Sequence, residues 1–203
     1  MRKIKIALLI GSGSRVPAIL ECVGGIDNAK VVFVISSKGE GMGTSAARSC
    51  GIRAEVLRLK DFGKGEEGRE RLSAVVCAIL RERKVDLIVM AGWMVLVPKV
   101  FVDEFRGRAI NIHPSILPAY PGKGEDVIPA QWNDKAVPAG CALHYIDEGM
   151  DTGKVVLKGY VVRKSKDYKM FKTLDDFAAA IHKKEDEVLC KGVKKLVSGR
   201  RRQ

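Results

Sequence analysis

The sequence predicts a single α/β domain, a mainly parallel sheet covered by helices on both faces. Three observations predict it. Short apolar runs alternate with longer segments whose apolar residues recur at helical spacing, the pattern of strand–helix–strand units. The first apolar run ends in Gly11-Ser12-Gly13-Ser14, a tight turn of the kind that leads a strand into a helix. The 203 residues suit one hydrophobic core, and no repeat, low-complexity stretch or composition shift divides them. Residues 1–198 therefore read as one domain and 199–203 as a basic C-terminal tail.

The elements follow in order. Residues 3–10 are apolar enough for a buried strand. The basic tip before them imitates a secretory leader, but the apolar run is short and no cleavage site follows, so a first strand is the better reading. Residues 11–15 turn into a helix that runs to about Val23, with Pro17 tolerated in its first turn. Residues 30–36 form a second strand, and 43–50 a helix stopped by Gly51. Residues 54–59 form a third strand. Residues 66–83 form an amphipathic helix with Leu72, Val75, Val76, Ile79 and Leu80 on one face. Residues 85–91 are a fourth strand, 98–105 a short helix and 108–112 a fifth strand. Residues 115–126 are rich in Pro and Gly and read as a loop. Two further strands cover 139–146 and 155–162. Thr173 opens the last helix; Asp175 and Asp176 favour its first turn, and Leu174, Phe177, Ile181, Leu189, Val193 and Leu196 line its buried face.

Composition narrows the function. No apolar run reaches the roughly 20 residues that span a bilayer. Five scattered cysteines without a Cys-x-x-Cys pair argue against a disulfide framework and against a zinc site. A reducing cytoplasm is the simplest compartment. The net charge of +12 suits anionic partners. Nothing rich in aromatics or resembling a helix-turn-helix accompanies it, so small anionic substrates are expected rather than nucleic acid. The basic tail reads as solvated.

The most informative stretch is Asn111-Ile-His113-Pro114. Residues two apart on a strand face one side, and Pro114 ends the strand. An amide and an imidazole thus share the end of a strand, where open α/β sheets bind ligands. The amide can donate to a developing oxyanion, and the imidazole can carry a proton near neutral pH. Gly11, Ser12, Gly13 and Ser14 offer backbone N–H groups to an anion, and Arg15 adds a cation. A dinucleotide site is the rival reading of that loop. It lacks the acidic residue expected after the second strand, where Ser36-Ser37-Lys38 stands. Asp147 and Glu148 are adjacent in a loop and rarely would aim together at a metal or a glycosidic bond. His144 in mid-strand and His182 on the last helix read as structural.

Asn-x-His, followed by His113-Pro-Ser115-Ile-Leu-Pro118 and then by Asp147-Glu148-Gly149-Met150-Asp151, resembles the folate-dependent formyltransferases over residues 3–197. The resemblance implies a Rossmann-like formyltransferase domain. It implies transfer of a formyl group from 10-formyltetrahydrofolate, the co-substrate, to the amine of phosphoribosylglycinamide in purine biosynthesis, with no metal. Asn111 would donate to the formyl oxygen, and His113 would stabilise the same charge and move a proton. Asp151 would favour the charged imidazole. The resemblance assigns the ribose phosphate to residues 11–15, the amine side to Glu185, and the folate to Met94, Val95, Leu96, Val97, Asp147 and Glu148. The chain departs from the usual pattern at Ser12, Arg15, Val95, Asp186 and residues 123–132. The alternatives are an amino sugar nucleotide as acceptor, a formyl-folate hydrolase, or a nucleotide- or nucleic-acid-binding module. Relatives acting on initiator tRNA, and the hydrolases, carry additional domains that the residues of this chain do not match. The pattern specifies neither a monomer nor a homodimer.

Overall fold

The computed structural model describes residues 2–122 and 124–199. Lys123 and the basic tail beyond Gly199 lie outside the described residues. Seven strands form one sheet in the order β3-β2-β1-β4-β5-β6-β7. They are β1 (Ile4–Ile10), β2 (Ala29–Ser36), β3 (Ala54–Val56), β4 (Leu87–Ala91), β5 (Ala109–His113), β6 (Ala139–Tyr145) and β7 (Val155–Val162). The five strands from β3 to β5 are parallel; β5–β6 and β6–β7 are antiparallel. The chain runs outward from β1 through β2 to β3, then returns to the other side of β1 as β4. The carboxyl ends of β1 and β4 therefore flank a topological switch point, where such sheets bind ligands.

The helices are α1 (Val16–Gly24), α2 (Met42–Ser49), α3 (Gly65–Glu82), α4 (Lys99–Glu104), α5 (Gly124–Asn133) and α6 (Leu174–Gly199). Strand alternation divides the core. Ile6, Leu8 and Ile10 of β1 pack with Val16 and Ile19 of α1 and with Val188, Leu189, Val193 and Val197 of α6. Ala7 and Leu9 face the other way, onto Leu72, Val76 and Leu80 of α3 and Phe101 at α4. A third cluster joins Ile128 of α5 to Ala139, Val162, Tyr168, Phe177 and Ile181.

Four expectations need correcting. The segment 115–126 is not loop to its end: Gly124–Asn133 is α5. Pro129 inside it and the polar turn before it hide the helical pattern. The helix is fixed by tertiary contacts. Gln131, fully buried, donates from Nε2 to the carbonyl of Pro114 and accepts the N–H of Gly140 at 3.2 Å. The third strand stops at Val56. On α3, Val75 is exposed, and Cys77 takes a place on the buried stripe beside Leu72, Val76 and Leu80. Finally, Cys22 of α1 and Cys190 of α6 form a disulfide, their Cα atoms 5.7 Å apart across 168 residues of chain. Cysteine spacing carried no sign of it, because packing of the first helix against the last brings the two together. No helix among the described residues is long and apolar enough to cross a membrane.

Candidate functional site

Asn111 and His113 stand at the carboxyl end of β5, facing one side. Antiparallel pairing places His144 of β6 directly opposite Asn111. Asn111 Nδ2 lies 3.2 Å from His144 Nε2. Asp151 arrives from the loop after β6. Its φ of 57° is left-handed, a conformation that aspartate tolerates better than most residues. Its carboxylate sits between two imidazoles. Oδ2 is 3.4 Å from His113 Nδ1, and Oδ1 is 3.4 Å from His144 Nε2. The backbone N–H of Gly122 donates to Oδ2 at 2.9 Å. The other His113 nitrogen, Nε2, lies 2.7 Å from the carbonyl of Tyr120. A ring protonated on both nitrogens satisfies both neighbours. The Ser115 hydroxyl donates to the Ala119 carbonyl and braces this turn.

Both imidazoles are almost wholly buried, and Asp151 is nearly so. Burial alone would raise the Asp151 carboxyl. Its hydrogen bonds with His144 and Gly122, and the charge that the two imidazoles carry when protonated, outweigh burial and hold it below the usual carboxylate value. His144 was read from sequence as a structural histidine, and the structure instead places it inside the cluster. Only the register between β5 and β6 reveals this, and no local pattern encodes that register.

The loop Gly11–Ser14 lies at the switch point. Gly13 has φ of 78°, and a Cβ there would come 2.6 Å from the Cα of Gly43. A Cβ on Gly11 would come 2.4 Å from the carbonyl oxygen of Gly92. Both positions require glycine. Ser36, fully buried at the end of β2, places its hydroxyl 3.0 Å from the Gly11 carbonyl oxygen. The position where a dinucleotide fold would hold a carboxylate thus braces the loop. Ser12, Ser14 and Lys38 line a cleft of about 280 Å³ with residues 39–42.

Arg15 turns away from that cleft, toward α6. Its Nη2 lies 2.9 Å from Glu185 Oε2, and its Nη1 donates to Asp186 Oδ1 at 3.0 Å and to the carbonyl of His182 at 3.0 Å. Glu185, an exposed residue by default from its helical position, is only 5% exposed. His182 Nδ1 also meets its carboxylate, at 2.8 Å.

The segment after β4 alternates. Val95 and Val97 pack with Trp93 against the α3–α4 core, whereas Met94 and Leu96 are exposed by 40% and 51%. Asp147 Oδ1 accepts from the Thr152 hydroxyl at 2.7 Å and from the Gly149 N–H at 3.2 Å. Glu148 pairs with Lys99 of α4 at 2.7 Å, tying the Asp151 loop to the end of the Met94–Leu96 segment. Exposed Met94, Leu96, Val100 and Met150 are apolar side chains without cover around these two segments. The indole N–H of Trp93 is buried without a hydrogen-bond partner among the described residues. These features leave an apolar surface with a polar donor beneath it, beside the Asp151 loop.

The structure thus brings Asn111, His113 and Asp151 together, adds His144, and joins Arg15 to Glu185. The arrangement can donate to an oxyanion and transfer a proton. The nearby Cys141 thiol is no nucleophile: burial, with Glu185 close by, pushes it up to about 12.

Residues 4–193 match the formyl transferase family. The trifunctional purine biosynthetic protein adenosine-3 of Drosophila melanogaster is 36% identical over 98% of the chain, which spans 14% of that protein's length. The phosphoribosylglycinamide formyltransferase of Haemophilus influenzae is 34% identical over 77% of the chain and 72% of its own. The crystal structure of phosphoribosylglycinamide formyltransferase from Bacillus halodurans superposes with a TM-score of 0.84 at 28% identity, covering 96% of this chain and 95% of that one.

Proposed function

The chain belongs to the formyl transferase family, and from this premise we propose that it transfers the formyl group of 10-formyltetrahydrofolate to the amine of phosphoribosylglycinamide, a step of de novo purine biosynthesis. The observation that carries the reading is the buried carboxylate of Asp151 between His113 and His144, with the Asn111 amide beside them.

The folate supplies the formyl group as an activated amide. Met94, Leu96 and the loop of Asp147 and Glu148 would hold it, while Val95 and Val97 support that wall from the core. The acceptor's phosphate is an anion, and the cleft lined by Ser12, Ser14 and Lys38 at the turn into α1 suits it. Glu185 lies on the amine side. Asn111 donates to the formyl oxygen as negative charge develops there, and His113 stabilises the same charge. Asp151 and His144 hold His113 and Asn111 in place; Asp151 accepts a proton relayed from the attacking amine, and that proton passes to the folate nitrogen as its bond to the formyl carbon breaks. Direct attack by the amine needs no side-chain nucleophile. The reading carries a cytoplasmic location with it. The Cys22–Cys190 bond is an exception to the usual chemistry of that compartment, of the kind found inside hyperthermophilic cells.

A spectral assay of deformylated folate, run with and without phosphoribosylglycinamide, tests the reading. Acceptor-dependent turnover supports it. Turnover without acceptor identifies a formyl-folate hydrolase. Turnover only with an amino sugar nucleotide identifies a different acceptor.

A further inference from the structure

We infer that Arg15 is a positioning residue, which fixes the Glu185 carboxylate for the acceptor and makes no contact with the acceptor's phosphate. The inference rests on the proposed role of Glu185. Three observations carry it. First, the guanidinium charge is already matched: Nη2 meets Glu185, and Nη1 meets Asp186 and the His182 carbonyl. A guanidinium paired with two carboxylates offers little uncompensated charge to a third anion. Second, the pair is enclosed, with the Arg15 side chain 14% exposed and that of Glu185 6%. A carboxylate this buried requires a cationic partner, and a phosphate drawn to Arg15 would have to displace it. Third, the geometry is a seam rather than a single contact. On α6, His182, Asp186 and Cys190 recur at four-residue spacing, one face of a helix. Just before and along α1, Arg15 and Cys22 recur at seven. The ion pair closes one end of the seam and the disulfide the other. Rotation of α6 that would carry Glu185 away from the site is thereby blocked at two points.

The consequence is a division of labour at the acceptor end. Ser12, Ser14 and Lys38 line the cleft assigned to the phosphate. Arg15, one residue further on, works through Glu185 instead.

The test uses the intact chain with Arg15→Ala, Arg15→Lys and Glu185→Gln. Steady-state kinetics are read for phosphoribosylglycinamide and for the folate separately, and inorganic phosphate is titrated calorimetrically. Arg15→Ala is expected to raise KM for the acceptor about tenfold or more, with the folate KM and phosphate affinity within about twofold of wild type. Arg15→Lys, which keeps the charge and folds even if the alanine variant does not, should fall between them. In the Glu185→Gln background, replacing Arg15 should add no further loss, because the interaction it serves is already gone. A tenfold loss of phosphate affinity in either Arg15 variant overturns the inference, as does a full independent loss in the double variant. Absence of acceptor-dependent turnover in wild type would instead count against the proposed function, and the phosphate titration still decides the role of Arg15.

Discussion

Asp151 holds two imidazoles with one carboxylate, each oxygen turned toward a different ring. Asp151→Asn keeps an oxygen for the Gly122 N–H, so the fold should survive while the charge is lost. We expect kcat to drop about 100-fold or more, of the order found when a transition-state charge partner is removed, with a modest loss of stability at neutral pH. Asn111→Ala removes the oxyanion donor and should cost about 100- to 1000-fold in kcat. The pH dependence has a definite sign. The Asp151 carboxyl lies below its ordinary value in the folded chain. Its stabilising contribution is complete above the unfolded pKa, ~3.9, and disappears as pH falls through the lower folded one. Chemical unfolding of wild type and Asp151→Asn should therefore converge below about pH 4; a gap that widens toward acid would refute this. Asn111 and His113 were legible in the sequence because a strand's period separates them, and Asp151 because its motif resembles that of the folate-dependent formyltransferases. His144 was not, because its neighbour is set by cross-strand register. The partners of Arg15 were hidden as well, since they lie 167 and more residues away.

At the scale of elements, the parallel half of the sheet was readable from apolar runs and turn glycines. The segment after His113 was not: α5 has a proline within it and depends on contacts outside itself. Gln131 is the residue that fastens it, spanning the end of β5 and the start of β6. Gln131→Ala would leave the Pro114 carbonyl and the Gly140 N–H buried and unpaired. That should cost about 2 kcal/mol of stability and loosen the strand end that presents His113. Denaturant unfolding together with acceptor kinetics measures both. A neutral effect on each would show that α5 is held by its apolar contacts alone, through Ile128 and the aromatic cluster of Trp132, Tyr168 and Phe177.

Across the whole molecule, the last helix closes onto the first. α6 covers β6 and β7, carries the Glu185 that pairs with Arg15, and is bonded through Cys190 to α1. A crosslink over so long a stretch of chain restricts the unfolded state, and removing it should lower stability by roughly 2–5 kcal/mol. Comparing the melting temperature of Cys22→Ser with wild type, with and without reductant, tests this. Reductant should lower the wild-type value toward that of the variant and leave the variant unmoved. Folate-side kinetics should not change, because the bond joins helices on the face of the sheet opposite Trp93, Val95 and Val97.

Passage of a formyl group from this site to phosphoribosylglycinamide can be read by following the atoms. Folate carrying a ¹³C-labelled formyl group is incubated with the acceptor and with wild type, Asn111→Ala or Asp151→Asn, and the products are identified by mass spectrometry. The account predicts labelled formyl-phosphoribosylglycinamide with wild type and a loss of about 100-fold or more in its rate of appearance with either variant. Label released as free formate, or a labelled product formed equally fast by the variants, would contradict it.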